Sequence, residues 1–331
     1  MDDIKQSTKG GTWIKEINVA FHLNSKITSY VLPKEFSAFG SVLHVGEPLV
    51  FLCLGLLGFC LNLISVMAFL RVKELRTPSN ILIFNLALAD LSFSCDTLAY
   101  ASYLRYWPFG SQGCQIHAFQ GMISILATIS FLCDVAWDRY HMYCTKQKMV
   151  WSTSLTLSTI MWSLAVFWAA LTLPFIGWGV LDYEPMKVGC TLYYTTGDRS
   201  SITYMVSVMV LYLAFPMLFM YACYSSIYAY FKKTHNFKVT LSLHIENFYF
   251  QHKSLLFFWG PYMFICMYAC FENTKLLSPK LRIIFPVLAK MTPQFFNSLL
   301  YVYRNEFYRG GIWHFLTGQK QSDKKTDSLP V

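Results

Sequence analysis

Charged side chains are scarce in this chain. Only 14% of its 331 residues are Asp, Glu, Lys or Arg, while 55% are hydrophobic and 18% are aromatic. That balance excludes a soluble globular protein of ordinary composition and indicates a protein with several membrane spans. The net charge of +9 does not indicate nucleic-acid binding. The basic residues cluster at alternate ends of apolar runs, which is a signal of membrane topology.

The sequence also lacks the signatures of several common kinds of site. Its ten cysteines form no Cys-x-x-Cys pair and no Cys/His metal-binding spacing, so we predict no metal or redox site. It has no glycine-rich phosphate loop, no internal repeat and no Asn-x-Ser/Thr acceptor. Residues 1–47 are polar and mixed, without the early apolar core of a cleavable signal. No residue is predicted to be catalytic on these grounds.

Seven apolar runs dominate what remains, and they predict helices that cross a bilayer. The predicted spans are 48–70, 81–103, 113–140, 150–175, 202–230, 254–270 and 281–303. An amphipathic stretch at 305–316 should lie on the membrane surface. The predicted fold class is therefore an all-α membrane protein, a seven-transmembrane helix bundle with a short amphipathic eighth helix. Its domains would be a flexible N-terminal tail (1–47), the bundle (48–303) and the amphipathic helix with its tail (304–331).

The distribution of Lys and Arg predicts the orientation of the bundle. These residues are more frequent in the loops after spans one, three and five and in the C-terminal tail than in the opposing loops. Because positive charge stays in the cytoplasm, we expect the N-terminus to be extracellular or lumenal. Residues 76–80, Arg-Thr-Pro-Ser-Asn, supply capping chemistry for the start of span two.

Lys290 is a charged residue in the middle of span seven. It lies about 14 Å along the helix axis at 1.5 Å per residue, near the membrane midplane. A lysine there costs about 2.5–3.5 kcal/mol on insertion scales, so we expect it to be functional. One interpretation is a structural lysine paired with a buried acid. The other is condensation of the amine with an aldehyde to form a Schiff base, which removes the difficulty of a bare buried amine.

Two further groups of residues are predicted to meet in space. Cys114 and Cys190 both fall on the outer side, where a disulfide would persist, although two free thiols are the alternative. Such a bridge would press Glu184 toward the interior of the bundle. Asp90 in span two could share a polar network with Asn62 and Asn297, because polar groups in lipid associate with one another. The alternative is that Asp90 only holds helices together.

Two local segments carry weaker signals. Asp138, Arg139 and Tyr140 end span three at the cytosolic face, where a charged pair at a helix end is ordinary. In span six, Pro261 removes a backbone hydrogen bond and should kink the helix between Trp259 and Tyr262. A kink with two large aromatic residues suits a flat apolar ligand, and simple aromatic packing is the alternative.

Taken together, these residues resemble the rhodopsin class of seven-helix receptors, and Lys290 narrows the resemblance to the opsins. The closest similarity is to the retinal G-protein-coupled receptor opsins of pigment epithelium and Müller glia, which are related to retinochrome. The resemblance extends over nearly all of Pro48–Gln319. The matching features are Asn62, RTP at 76–78, the NLALAD run ending at Asp90, YWPFGSQGCQIHAFQG at 106–121, RYHMYCTKQ at 139–147, Trp162, GWGVLDYEP at 177–185, CTLYYTTGDR at 190–199, WGPY at 259–262, SPKLRIIFPVLAKM at 278–291 and GIW at 311–313.

The resemblance implies a function. Opsins carry retinal as a Schiff base on the span-seven lysine, here Lys290, and this group binds all-trans retinal in darkness and converts it to 11-cis in light. The implied protein is a photoisomerase or photoreceptor in plasma or intracellular membranes of retinal support cells. Implied partners are retinal, membrane lipid, a heterotrimeric G protein and retinoid-handling proteins, with no nucleic acid. Light-driven G-protein signalling and a non-covalent lipid receptor or carrier stay open as alternatives.

The resemblance also indicates which residue is the counterion of the protonated Schiff base. Vertebrate visual pigments have a glutamate one turn below the span-three cysteine, and that place is His117 here. A histidine cannot be an anion, and a protonated one would favour a neutral Schiff base. We therefore assign Glu184 as the counterion and His117 as a titrating neighbour. The alternative is that Glu184 only forms hydrogen bonds within its loop.

Three features depart from the pattern of this opsin group. The group usually has Gly where this chain has Asp138. The segment Asn297–Tyr301 lacks the usual proline and begins seven residues after Lys290, where opsins have six. One residue turns a helix by about 100°, so Asn297 reaches its usual partners only if the helix absorbs the extra residue. Leu241–Phe250 and Ala170–Pro174 are longer than in the group. These departures argue against G-protein coupling through the cytosolic surface. The resemblance assigns the switch and the G-protein face to Asp138, Arg139, Tyr140, Asp90, Asn297 and Tyr301.

Overall fold

Helices make up most of the molecule. The structure, a computed structural model, describes residues 36–102, 107, 109–183, 190–192, 198–234, 239–272, 276–277, 281, 285, 289, 295–299 and 306–319. The chain divides into two compact units, Met1–Val50 and Phe51–Val331, and the contacts described below lie within the second.

The described helices are numbered in chain order. They are α1 (Phe36–Arg71), α2 (Pro78–Ser102), α3 (Gly110–Tyr140), α4 (Trp151–Ala170), α5 (Arg199–Met209), α6 (Phe215–Lys233), α7 (Val239–Phe271) and α8 (Glu306–Thr317). A 3₁₀ turn at Lys73–Leu75 follows α1, and π-helical turns at His141–Thr145 and Val210–Ala214 follow α3 and α5. The second π-helical turn joins α5 to α6, so that Arg199–Lys233 is one helical run. Residues 281, 285, 289 and 295–299 are also helical.

Several of the described helices are long and apolar enough to cross a membrane. These are Leu52–Arg71, Gly110–Thr145, Trp151–Ala170 and Arg199–Lys233, and Leu255–Phe271 is a shorter apolar helix. They coincide with predicted spans one, three, four, five and six. Helix α2 coincides with span two and begins as predicted, because the Thr77 hydroxyl accepts a hydrogen bond from the Asn80 backbone N–H at 3.3 Å. Helix α8 coincides with the predicted amphipathic stretch.

Three boundaries of the described helices differ from the sequence prediction by more than three residues. Helix α1 begins at Phe36 rather than at Pro48, and α7 begins at Val239 rather than at Ser254. In both cases the helix continues past the apolar run from which the span was predicted, since helix formation does not require lipid. Helix α4 ends at Ala170 rather than at Phe175. Pro174 disfavours helical backbone at the residue before it, which explains the earlier end.

A short hairpin lies between α4 and α5 and is joined to α3. Strands β1 (Leu181–Tyr183) and β2 (Cys190–Leu192) pair antiparallel with Tyr183 opposite Cys190. Cys190 forms a disulfide with Cys114 on α3, with an S–S distance of 2.00 Å and a Cα–Cα distance of 5.4 Å. The predicted disulfide is therefore confirmed, and it holds the hairpin against α3.

Two clusters of buried apolar side chains hold the described helices together. The larger one is drawn from α2 to α7 and the hairpin, and it includes Trp107, Leu181, Leu192, Tyr204, Tyr212 and Trp259. The smaller one, which we call the α8 cluster, consists of Ala68, Phe69, Val72, Leu75, Leu82, Ile83, Val135, Tyr308 and Ile312. The first surrounds the aromatic residues singled out from the sequence, and the second joins α8 to α1 and α2.

Candidate functional site

The aromatic pair of α7 lies in the larger cluster beneath the hairpin. Pro261 is inside α7, so the helix lacks the backbone hydrogen bond from residue 261 to the Phe257 carbonyl. Trp259 is 9% exposed, and its ring centroid lies 6.1 Å from that of Tyr262 in an edge-on arrangement. The hydroxyls of Tyr262 and Thr191 are 3.4 Å apart. The hairpin thus contacts α7 as well as α3.

The side chains around this aromatic pair are suited to a flat apolar ligand. Trp259 belongs to the same buried cluster as Leu181 and Leu192 of the hairpin and Met205 and Val208 of α5. These are apolar side chains from three different elements. Such lining, with a few hydroxyls at its edge, is typical of a small-molecule site. The described residues therefore fit a polyene such as retinal.

His117 occupies the position on α3 that the sequence predicted. It is half-buried, three residues after Cys114. Its ring lies 4.8 Å from that of Trp107, tilted by 46°, and the Trp107 indole N–H donates to the Gly110 carbonyl at 3.1 Å. Trp107, just before α3, thereby packs against the histidine and limits its orientation.

Three of the predicted site residues lie outside the described residues. They are Lys290, Glu184 and Tyr301. The residue before Lys290, Ala289, is helical and 3% exposed, and Tyr183 before Glu184 belongs to β1.

Asp90 and Asn297 meet in the interior although they lie 207 residues apart in sequence. The Asn297 amide donates to one Asp90 carboxylate oxygen at 3.1 Å, and the Thr128 hydroxyl donates to the other at 2.8 Å. All three side chains are buried. The extra residue between Lys290 and Asn297 therefore does not turn Asn297 away from α2. Asn62 donates instead to the Gly58 carbonyl of its own helix at 2.9 Å.

At the C-terminal end of α3, Asp138 and Arg139 have partners other than each other. The Ser79 hydroxyl donates to Asp138 at 2.8 Å, whereas Arg139 donates to the Met142 sulfur at 3.8 Å. No ion pair joins Asp138 and Arg139, both of which lie in the described part of α3. The Tyr140 ring packs edge-on against His141, with the ring centroids 5.3 Å apart.

Several polar residues in this interior were missed by the sequence reasoning. Thr128 completes the Asp90 pair, and Ser79 holds Asp138. A third group links α2 to α4: the Trp162 indole donates to the Asn85 side-chain carbonyl at 2.9 Å, and the Asn85 amide donates to Ser158 at 3.2 Å. Thr128, Asn85 and Ser158 are small polar residues inside apolar spans, and that signal could have identified them.

Comparison with known proteins adds to this geometry. Residues 61–301 match the family described as 7 transmembrane receptor (rhodopsin family). The chain belongs to the rhodopsin family of seven-transmembrane receptors. The predicted family is thereby confirmed, and the chain is a multi-pass membrane protein.

Individual members of the rhodopsin family support the same assignment. The human RPE-retinal G protein-coupled receptor is 36% identical over 88% of this chain and 97% of its own length. The human visual pigment-like receptor peropsin is 30% identical over 84% of this chain and 86% of its own length. The crystal structure of squid rhodopsin superposes with a TM-score of 0.72, covering 88% of this chain and 93% of that chain at 20% identity. The predicted seven-helix fold is therefore confirmed as well.

Proposed function

We propose that this receptor is an opsin that holds retinal covalently on Lys290 and converts all-trans retinal to 11-cis retinal in light for the visual cycle. The observation that carries the proposal is the similarity to the human RPE-retinal receptor over 88% of the chain. The apolar enclosure around Trp259, beneath a disulfide-held hairpin, is consistent with it. It is thus a light-driven isomerase in our proposal.

The chain's own residues have distinct tasks in this proposal. Retinal supplies the absorption of light and the double bond that isomerises. Trp259 and Tyr262 confine the ligand, and the disulfide keeps water out by holding the hairpin against α3. Lys290 provides the amine for attachment. Glu184 provides the negative charge opposite it, and His117, oriented by Trp107, modulates that charge.

The second candidate is light-activated signalling through a heterotrimeric G protein. It is favoured by Arg139, which forms no ion pair with Asp138; one oxygen of that carboxylate accepts a hydrogen bond from Ser79. A basic side chain at the end of α3 that is not held by an ion pair to Asp138 is available to a partner. The third candidate, a receptor or carrier for a non-covalent lipid, would need the apolar enclosure but not Lys290.

The orientation in the membrane belongs to the same proposal. The basic loops after spans one, three and five are placed in the cytoplasm, and the N-terminus outside the cell or in a lumen. The host membranes are the plasma membrane or internal membranes of retinal support cells, where retinoid-handling proteins would deliver and collect the ligand. The polar tail (1–47), the bundle (48–303) and the segment 304–331 are the proposed domains.

The deciding experiment is extraction of retinal isomers from the purified protein. All-trans retinal in darkness and a net rise of 11-cis retinal after illumination would support the isomerase. The reverse change, from 11-cis to all-trans, would favour the signalling pigment. If retinal does not bind at all, the non-covalent lipid receptor becomes the better candidate.

A further inference from the structure

The Ser201 hydroxyl, in the first turn of α5, is a buried polar group that the proposed function does not use. Ser201 is 6% exposed, and its hydroxyl has no hydrogen-bond partner among the described residues. Its backbone N–H is satisfied, because it donates to the Asp198 side chain at 3.0 Å where the helix begins. A buried hydroxyl without a partner destabilises a protein unless a bound molecule supplies one. Ser201 is therefore a candidate contact for a polar atom of a ligand.

The face of α5 that carries Ser201 is turned toward the aromatic pair of α7. Ser201, Met205 and Val208 follow one another at intervals of four and three residues, which places them on one side of a helix. Met205 and Val208 belong to the buried cluster that contains Trp259. The neighbouring Ser200 donates to the carbonyl of residue 177, shortly before β1, at 2.9 Å. Ser201 therefore lies on the hairpin side of the apolar enclosure.

Tyr204 fixes the rotation of α5 about its own axis. It is fully buried, and its hydroxyl donates to the Trp168 carbonyl of α4 at 2.7 Å. On the loop before β1, a Cβ added to Gly179 would lie 2.7 Å from the Tyr204 Cδ1, so this loop packs directly on the ring. Since Tyr204 is held by both α4 and the loop, the face that carries Ser201 cannot turn away from α7.

Two more hydroxyls lie on the hairpin side of the enclosure. Thr191 of β2 and Tyr262 of α7 have their hydroxyl oxygens 3.4 Å apart. Each hydroxyl oxygen has two lone pairs, so this pair can accept a hydrogen bond from a ligand. Ser201 can donate one or accept one. The three residues give an otherwise apolar enclosure a polar edge that is suited to a single hydroxyl group.

This polar edge lies across α7 from the predicted point of attachment. Span seven, which carries Lys290, packs on α7 through Phe296, whose ring centroid is 5.2 Å from that of Phe258, and on α2 through Asn297. Helix α5 packs on α4 and on α7. When an aldehyde condenses with a lysine amine, its oxygen leaves as water. An oxygen atom that reaches Ser201 must therefore belong to the opposite end of the ligand, its ring.

We propose that the ligand of this receptor is a retinoid whose ring carries a hydroxyl group, and that Ser201, Thr191 and Tyr262 bind that hydroxyl. The inference rests on the proposed function, from which it takes the polyene aldehyde and its attachment to Lys290. It narrows the substrate class to ring-hydroxylated forms of all-trans retinal. The ring hydroxyl donates to the pair formed by Thr191 and Tyr262 and accepts from Ser201.

The test is a competition for binding in darkness. The full-length protein in detergent receives an equimolar mixture of all-trans-retinal, all-trans-3-hydroxyretinal and all-trans-4-hydroxyretinal, and the bound retinoids are extracted and quantified. A hydroxylated form should be enriched over retinal by about two- to tenfold for each hydrogen bond. Ser201→Ala should lower this enrichment by about two- to tenfold, and so should Thr191→Val. Ser207→Ala is the matched control on another face of α5, where the Ser207 hydroxyl donates to the Thr203 carbonyl at 2.8 Å, and it should keep the parent enrichment.

The competition separates the ring-hydroxyl site from the proposed function. Binding of retinal without enrichment of either hydroxylated form would overturn the site and leave the proposed function intact. The site would also be wrong if Ser201→Ala and Thr191→Val kept the parent enrichment, or if Ser207→Ala lost it equally. An enrichment that rises in Ser201→Ala would mean that the parent excludes the ring hydroxyl sterically, which again contradicts the site. If none of the three retinoids binds, the proposed function is wrong and the site falls with it.

Discussion

At the scale of single residues, the partners of Asp90 show how an acid is accommodated in the interior of the bundle. Each carboxylate oxygen accepts one hydrogen bond, from Thr128 on α3 and from Asn297. A buried polar group without hydrogen-bond partners destabilises the folded protein far more than the same group does when water solvates it at the surface. Asp90 therefore connects three segments of the chain through two hydrogen bonds. Removing one donor should weaken the packing of these three segments.

We predict that Asn297→Leu destabilises the protein by about 1–3 kcal/mol, because one buried oxygen of Asp90 loses its donor. The measurement is thermal unfolding of detergent-purified protein followed by tryptophan fluorescence. In an Asp90→Leu background the same substitution should cost much less, since the two residues are coupled. Equal costs in the two backgrounds would mean that the hydrogen bond contributes nothing to stability.

Lys290 is predicted to be the point of covalent attachment. Borohydride reduction should fix retinal to the peptide that contains Lys290, and Lys290→Ala should lose the pigment. Lys253→Ala, which removes an exposed lysine of α7, is the matched control and should retain it. If Lys290→Ala keeps a pigment with the parent spectrum, the covalent attachment is wrong and the non-covalent receptor is favoured.

Glu184 is predicted to stabilise the protonated Schiff base. In Glu184→Gln that charge is gone, so absorption should move from the visible to the near ultraviolet at neutral pH. The control is Asp182→Asn two residues upstream, whose carboxylate already accepts the Tyr183 N–H at 2.7 Å. His117→Asn should leave a visible pigment that depends less on pH. A visible band and titration identical to the parent in Glu184→Gln would contradict the assignment.

At the scale of secondary-structure elements, α8 is held by a contact that only a glycine permits. The Leu75 side chain fills the space where a Gly311 Cβ would lie, and Leu75 cannot move away because it is buried. Glycine is otherwise unfavourable in a helix by about 1 kcal/mol relative to alanine. Close packing in the α8 cluster therefore opposes intrinsic helix propensity.

The effect of Gly311→Ala on stability is therefore predicted to change sign when Leu75 is shortened. Gly311→Ala should gain about 1 kcal/mol of helix propensity but lose about 1–3 kcal/mol to overpacking, a net loss of up to about 2 kcal/mol. In a Leu75→Ala background the same substitution should be stabilising, because the space is open. Thermal unfolding measures both effects. Gly260→Ala, with no atom within 4 Å of the added Cβ, is the control and should be stabilising. A Gly311→Ala effect that is the same in both backgrounds would show that Leu75 is not the obstacle.

At the scale of the whole molecule, the two buried clusters lie in different parts of the helix bundle. The larger one contains Trp259 and the hairpin, and the α8 cluster contains the first connecting turn and Val135 of α3. Helix α3 contributes residues to both clusters. In the function that we propose, a change in ligand shape would act on the larger cluster, and Arg139 at the end of α3 would transmit it to a G protein.

We predict weak coupling to G proteins together with net formation of 11-cis retinal. Nucleotide exchange on a panel of G proteins in light and darkness, run beside isomer analysis, measures both. The expectation rests on the exposed Lys253 in the inner half of α7 and on the departures from the opsin pattern. Any light-dependent exchange that remains should disappear in Arg139→Gln without a change in the isomer ratio. Strong exchange with no 11-cis retinal would reverse the order of the two functions.

The sequence by itself determined the apolar spans and α8. It predicted that Cys114 pairs with Cys190 but left two free thiols as the alternative, which the structure excludes. A helix that crosses lipid needs a long apolar run, and it must satisfy all its backbone hydrogen bonds internally. Membrane-spanning helices can therefore be identified from the sequence alone. Helix boundaries were less well determined. Helices α1 and α7 begin earlier than the apolar runs do, and α4 ends earlier. Hydrophobicity reports where lipid is, whereas helix ends depend on caps and prolines.

Only the tertiary structure decided which polar residues meet. The spacing between Lys290 and Asn297 left the direction of Asn297 open, since one residue changes it by about 100°. The structure directs it to Asp90, and it adds Thr128 and Ser79, which the sequence reasoning had passed over. It also assigns Asp138 to Ser79 rather than to its neighbour Arg139. Such choices depend on distances between helices, and a linear pattern contains no information about those distances.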